Sequence, residues 1–194
     1  MSSFAQDLNG KWFLTKEGNT YIVPENLILD IEKDSIKYYS FDHLHATHSL
    51  KVKDNKIKIG DGENKYFEFI NKNRIRIKSQ KEEDSINLEY VRLVPTRTSL
   101  IREEIEKLSF YFIWKGDKIN IQFNQELKPD LRRMTQRKEF TKILLEKIDL
   151  TYFASVYQFG ERTDVIPIKE INLDKMILYG TPGKPYEIVS EKIQ

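Results

Sequence analysis

From Gly10 to Thr96 the sequence alternates apolar and polar residues almost without interruption. In "SLKVKDNKIKIG", Leu50 and Val52 alternate with lysines, Asp54-Asn55 marks a turn, and Ile57 and Ile59 resume the step. Side chains on a strand point to opposite faces at every second residue, so this is a β-hairpin in a single line. "NLILDIE", then "KDSIKYYSF" behind a Lys33-Asp34 turn, "KYFEFI", a turn at Asn71-Lys72-Asn73, "RIRIKS" and "SINLEYVRLV" keep the same rule. Lysine and glutamate on the second face predict sheet with one buried side and one wet side. Roughly eight such strands at about ten-residue spacing predict an antiparallel meander. A meander that long curls and closes, because closure removes its exposed edges. The expected fold is therefore mainly β: an antiparallel up-and-down barrel over residues 8–96, behind a short N-terminal tail at 1–7. An α+β, β-rich region follows over 97–194.

The expectation for that second region comes from a change of pattern after Pro95. "TSLIREEIEKLSF" sets Leu100, Ile101, Ile105 and Leu108 at helical spacing, with Thr98 or Ser99 as cap and Glu103 and Glu104 near the start. "FYFIWKGDKINIQF" predicts a hairpin around Lys115-Gly116-Asp117. "DLRRMTQRKEFTKILLEKI" predicts mainly helix, with Phe140, Ile143, Leu144 and Ile148 on one stripe. "LTYFASVYQF", "DVIPIKEI", "KMILYG" and "YEIVSEKI" predict strands. "INKNRIRIK" from Ile70 is echoed by "INLDKMILY" from Ile171, and each is followed by a strand with Glu and Tyr. The echo fits a duplicated sheet module, and it equally fits two ordinary hairpins with Asn/Asp turns.

Two motifs in the first half carry a resemblance. "NGKWFL" places Gly10-Lys11-Trp12 at the start of the first strand, and "LEYVRLV" places Arg92 on the last. On these residues the segment from Leu8 to Thr96 resembles the lipocalin-like domains of the calycin group, and its length is closest to compact bacterial ones. The resemblance implies that Trp12 plugs the closed end of a barrel and that Arg92 packs across its face. Arg92 shares parity with Ile86, Leu88 and Tyr90, and stacking on an indole gives an inward charge its reason. It further implies a non-enzymatic protein that binds a small apolar ligand, with no cofactor. The second half carries no resemblance.

An eight-stranded barrel has an interior just large enough for packed side chains or one small ligand. Tyr38, Phe67, Phe69 and Tyr90 are the expected lining, since ligand pockets are mostly apolar and aromatic with a few polar groups. Whether these rings surround a cavity or fill the interior stays open at this stage.

Composition narrows the other classes. A net charge of +2 with interspersed signs predicts no strong pull toward nucleic acid. The absence of cysteine removes thiol catalysis, zinc–thiolate sites and disulfides. No apolar run reaches the roughly 18 residues of a membrane span. Ser3 and Ala5 stand at the spacing of a small-x-small cleavage site before Gln6. A signal-peptide remnant and a plain polar tail both fit, so a periplasmic or secreted location and a cytoplasmic one stand side by side.

All three histidines, His43, His45 and His48, lie within six positions beside Asp42. On a strand, His43 and His45 share a face, and His48 needs a bend near Ala46-Thr47 to join them. Three imidazoles with an open position suit zinc, with Asp42 fixing a tautomer, which would make the chain a metal-dependent enzyme. A polar, solvated loop is the alternative. No nucleophile–base–orienter set is recognisable, and Ser40 and Ser49 lack an elbow-type turn. Gly60 and Gly62 fit a hairpin turn rather than a phosphate cradle. Glu82, Glu83 and Asp84, like Glu103 and Glu104, lie in solvated segments. Arg132, Arg133, Arg137 and Lys138 fit the wet side of a helix or a contact with an acidic partner. A protein-interaction module, envelope-associated or of the immunity type, is thus a further reading.

Overall fold

The computed structural model describes residues 7–18, 20–21, 27–78, 87–114, 117–124, 141–179 and 188–193. Ser3, Ala5, the acidic run at 82–84, the turn residues Lys115 and Gly116, and the basic run at 132–138 lie outside the described residues. The chain divides into two compact units, Met1–Leu93 and Val94–Gln194.

The first unit is built from β1 (Gly10–Glu17), β2 (Thr20–Tyr21), β3 (Leu27–Ile31), β4 (Ser35–Ser40), β5 (His43–Lys53), β6 (Lys56–Ile59), β7 (Asn64–Asn71), β8 (Arg74–Lys78) and β9 (Leu88–Arg92). Consecutive strands from β3 to β9 are antiparallel neighbours, and β1 pairs with both β3 and β9. The ring of pairings therefore closes into a barrel-like, up-and-down sheet, with β2 attached to the far end of β1. Turn chemistry sets the registers. Asp54 and Asn55 both take positive φ, as a two-residue hairpin turn requires. Asn71 Oδ1 accepts from the Asn73 amide at 3.0 Å. Inward-pointing Trp12, Leu14, Leu29, Ile31, Ile36, Leu50, Ile57, Phe67, Ile75, Ile77 and Tyr90 form one core, joined by Leu8.

The second unit holds α1 (Arg102–Ile105), β10 (Ser109–Trp114), β11 (Asp117–Gln122), β12 (Thr141–Ile148), β13 (Thr151–Gln158), β14 (Glu161–Ile171), β15 (Lys175–Leu178) and β16 (Ile188–Lys192). Its sheet runs β11-β10-β16-β15-β14-β13-β12, antiparallel throughout. Seven alternating strands leave the first and last pointing the same way, so the two edges can meet only in parallel. Among the described residues they do so once: Phe123, just past β11, forms a parallel bridge with Ile143. The Asn124 amide adds a 2.8 Å bond to the Ile143 carbonyl. Thr96 ties the start of this unit to its sheet. Its hydroxyl donates to the Ile168 carbonyl at 2.7 Å and accepts from the Tyr152 amide at 2.8 Å.

Two helical expectations need correction. Every residue of Thr141–Ile148 pairs with β13, so the end of the expected long helix is a strand. Ile143 and Leu145 are buried, whereas Lys142 is exposed and Leu144 and Glu146 are only partly buried, which is period two. The adjacent Leu144 disguised it as a helical stripe. The other helix shrinks to the single turn α1, whose N-cap is Ile101 and neither Thr98 nor Ser99. Glu104 Oε2 accepts from the Ile101 amide at 2.9 Å, and Thr98 Oγ1 accepts from the Leu100 amide one step earlier.

The echo between the halves extends to register. Ile75 faces Tyr90 and Ile77 faces Leu88, as Met176 faces Ser190 and Leu178 faces Ile188. The Arg92 amide donates to the Asn73 carbonyl at 2.9 Å, and the Lys192 amide to the Asp174 carbonyl at 2.9 Å. The Leu93 amide reaches Lys11 as the Ile193 amide reaches Ser109, both at 2.8 Å. Trp12 sits between Leu29 and Arg92, and Phe110 between Ile121 and Lys192. The Asx turn at Asn71 recurs as well, with Asn172 Oδ1 accepting from the Asp174 amide. Strands β10, β11, β14, β15 and β16 thus repeat the pairing order of β1, β3, β7, β8 and β9.

Candidate functional site

Gly10, Trp12 and Arg92 meet where the first strand pairs with the last. Trp12 is fully buried, and its indole Nε1 donates to the Leu8 carbonyl at 2.7 Å. Arg92 stands opposite Trp12 in the β1–β9 ladder, with its guanidinium carbon 4.1 Å from the indole centroid. The same guanidinium donates through Nη1 to the Asn9 carbonyl and through Nη2 to the Asp7 carbonyl. Burial lowers the Arg92 pKa, and the nearby Asp7 works against that. A cation over an aromatic face is worth about 0.5–1 kcal/mol when exposed and about 2 kcal/mol when desolvated, and the partly buried Arg92 falls between the two. One arginine thereby fastens the leading segment, the first strand and the last strand together. Gly10 makes room for it. Its φ is +117°, and a Cβ there would stand 3.0 Å from Arg92 Nη1. Gly10→Ala is therefore expected to cost about 1–3 kcal/mol, measured as a lowered urea midpoint. An unchanged midpoint would mean that the guanidinium shifts at no cost.

The four expected lining residues share the inner face of this sheet. Tyr38 lies opposite Leu29, Phe67 opposite Ile77, Phe69 opposite Ile75, and Tyr90 opposite both Leu14 and Ile75. Phe67 and Phe69 meet edge to face with centroids 6.0 Å apart, and Phe69 lies 6.4 Å from Trp12. Phe67 and Tyr90 are buried. Tyr38 and Phe69, with Ile59 and Leu88, are only partly buried although they belong to the same inward cluster. Burial pushes the Tyr90 hydroxyl pKa well above the ordinary phenol range, with Tyr38 and Glu17 adding to the rise. Burial raises Tyr38 as well. Both phenols are thus neutral hydrogen-bonding groups set among apolar walls.

The histidines divide. A bulge in the β4–β5 ladder pairs Tyr38 with Ala46 and Tyr39 with Leu44, so His45 is the extra, unpaired residue. This brings the His43 and His45 rings to 5.1 Å, at an interplanar angle of 86°. His48, opposite Ile36, lies with its ring 5.8 Å from that of Tyr38. Among the described residues no group of three or more His, Cys, Asp or Glu side chains could hold a metal ion.

Sequence reasoning missed two charged networks. In the first unit Arg76 donates to Glu89 Oε1 through Nε at 3.1 Å and Nη2 at 2.7 Å, and through Nη1 to Glu68 at 2.7 Å. In the second, Arg162 Nε and Nη2 grip the two oxygens of Glu146 at 2.9 and 2.7 Å, and the Tyr157 hydroxyl donates to the same carboxylate at 2.9 Å. Burial pushes the Glu146 carboxyl up, but the hydrogen bonds from Arg162 and Tyr157 outweigh it and hold the group below the usual carboxylate range. These carboxylates are hydrogen-bonded to arginines of neighbouring strands and so fasten the sheets. Their partners are remote in sequence and meet only once strand register is known. No family model matches the chain, and no curated protein matches it.

Proposed function

We propose that the first unit is a non-enzymatic, lipocalin-like binding module that takes one small apolar ligand against Tyr38, Phe67, Phe69 and Tyr90. The observation that carries the reading is the incomplete burial of Tyr38, Ile59, Phe69 and Leu88, which point into the ring and keep apolar surface within reach of solvent. Apolar surface of this kind gains about 25 cal/mol for every Å² that a ligand covers. The neutral hydroxyls of Tyr38 and Tyr90 supply the few polar points that orient a guest. Trp12 and Arg92 serve the module as its floor, not as ligand contacts.

The test is uptake of fatty acids, retinoids and a fluorescent apolar probe by the purified protein. Saturable binding at one site is expected. Ile59→Trp fills the inner face from β6 and is expected to weaken uptake at least about tenfold, or about 1.4 kcal/mol, with the β spectrum unchanged. Leu88→Trp, from β9, repeats the block should the first variant misfold. Absence of uptake by the unaltered protein, or full uptake by both folded variants, would overturn the reading.

A further inference from the structure

We infer that His43 and His45 form a two-imidazole site for a borderline divalent metal ion at the β4–β5 bulge of the first barrel, with the His48 ring turned to Tyr38 instead. The β4–β5 bulge builds the site. It places His45 as the extra residue of the ladder, and bulges re-aim side chains in this way. Both imidazoles are exposed, so two nitrogens are accessible without any rearrangement of the core.

The ring geometry fits one shared ion. An imidazole ligand sits about 2.0–2.1 Å from zinc, which puts its ring centre about 3.2 Å from the metal. Two such rings at a tetrahedral angle then have centres about 5 Å apart. The observed separation is 5.1 Å, with the planes nearly perpendicular. Imidazole suits zinc, copper and nickel, whereas calcium and magnesium take oxygen. The His48 ring meets Tyr38 edge to face and joins no group of three with the pair, so it is not a third ligand. With no larger cluster of His, Cys, Asp or Glu among the described residues, water or an external donor completes the coordination. Such a site is open and exchangeable, in contrast to a closed structural one.

The experiment is calorimetric titration of the full chain with zinc chloride alone, in a non-chelating buffer at neutral pH. One equivalent is expected to bind. His43→Ala and His45→Ala are each expected to weaken binding at least about tenfold, and His48→Ala is expected to leave it within about twofold. All three positions are exposed, and circular dichroism checks that each variant keeps its sheet. Absence of zinc binding by the unaltered chain would overturn the assignment. So would binding that survives the His43→Ala/His45→Ala double variant, or a loss on His48→Ala as large as on His45→Ala.

Discussion

Trp12→Ala is expected to cost about 3–5 kcal/mol of folding stability, the range for emptying a fully buried large aromatic site. Three losses coincide. The indole is completely buried and packs within a single core with Leu14, Leu29 and Ile31. Its Nε1 no longer donates to Leu8, so the leading segment loses its anchor. The Arg92 guanidinium loses the ring beneath it, while its bonds to Asn9 and Asp7 depend on that leading segment. Urea denaturation followed by circular dichroism measures the cost. Trp12→Phe restores a ring but no N–H, and it should recover more than half of the loss. A drop of less than about 1 kcal/mol for Trp12→Ala would show that the core collapses around the hole at little expense.

The second large effect is expected at the matching position of the other unit. Phe110 is fully buried and sits between Ile121 and Lys192, as Trp12 sits between Leu29 and Arg92. It packs with Ile105 of α1 and with Phe123, Ile143 and Met176. Phe110→Ala should therefore cost about 3–5 kcal/mol as well. Hydrogen exchange gives the local readout. The Lys192 and Ile193 amides, bonded to Asp174 and Ser109, should exchange far faster in the variant. Unchanged protection at those two amides would disprove the equivalence of the two aromatic positions.

Most of the first sheet was legible because its period is two and its turns are chemical. The hairpin from Leu50 to Ile59 needed only Asp54-Asn55, whose positive φ values match the two-residue loop. The second half was harder. Leu144-Leu145 satisfies helical and strand periods together, and only the full ladder with β13 decides between them. The short α1 was overextended because Leu100 and Leu108 keep helical spacing while packing as flanking residues of the core. Parity alone sets His48 apart from His43, but the extra residue His45 cancels that difference, since Ser40 opposite His43 and Ile36 opposite His48 share parity on β4, and no local signal locates this bulge. Bulges depend on the partner strand, as do the Glu146–Arg162 and Glu89–Arg76 contacts.

Closing a ring by joining its first strand to its last sets an order of events during synthesis. Lys11 emerges from the ribosome early and waits for Leu93, about eighty residues later, before its carbonyl is satisfied. Ser109 waits as long for Ile193. Until then each nascent half carries an opening strand with unpaired backbone, which is the surface that chaperones hold and that neighbouring chains can seize.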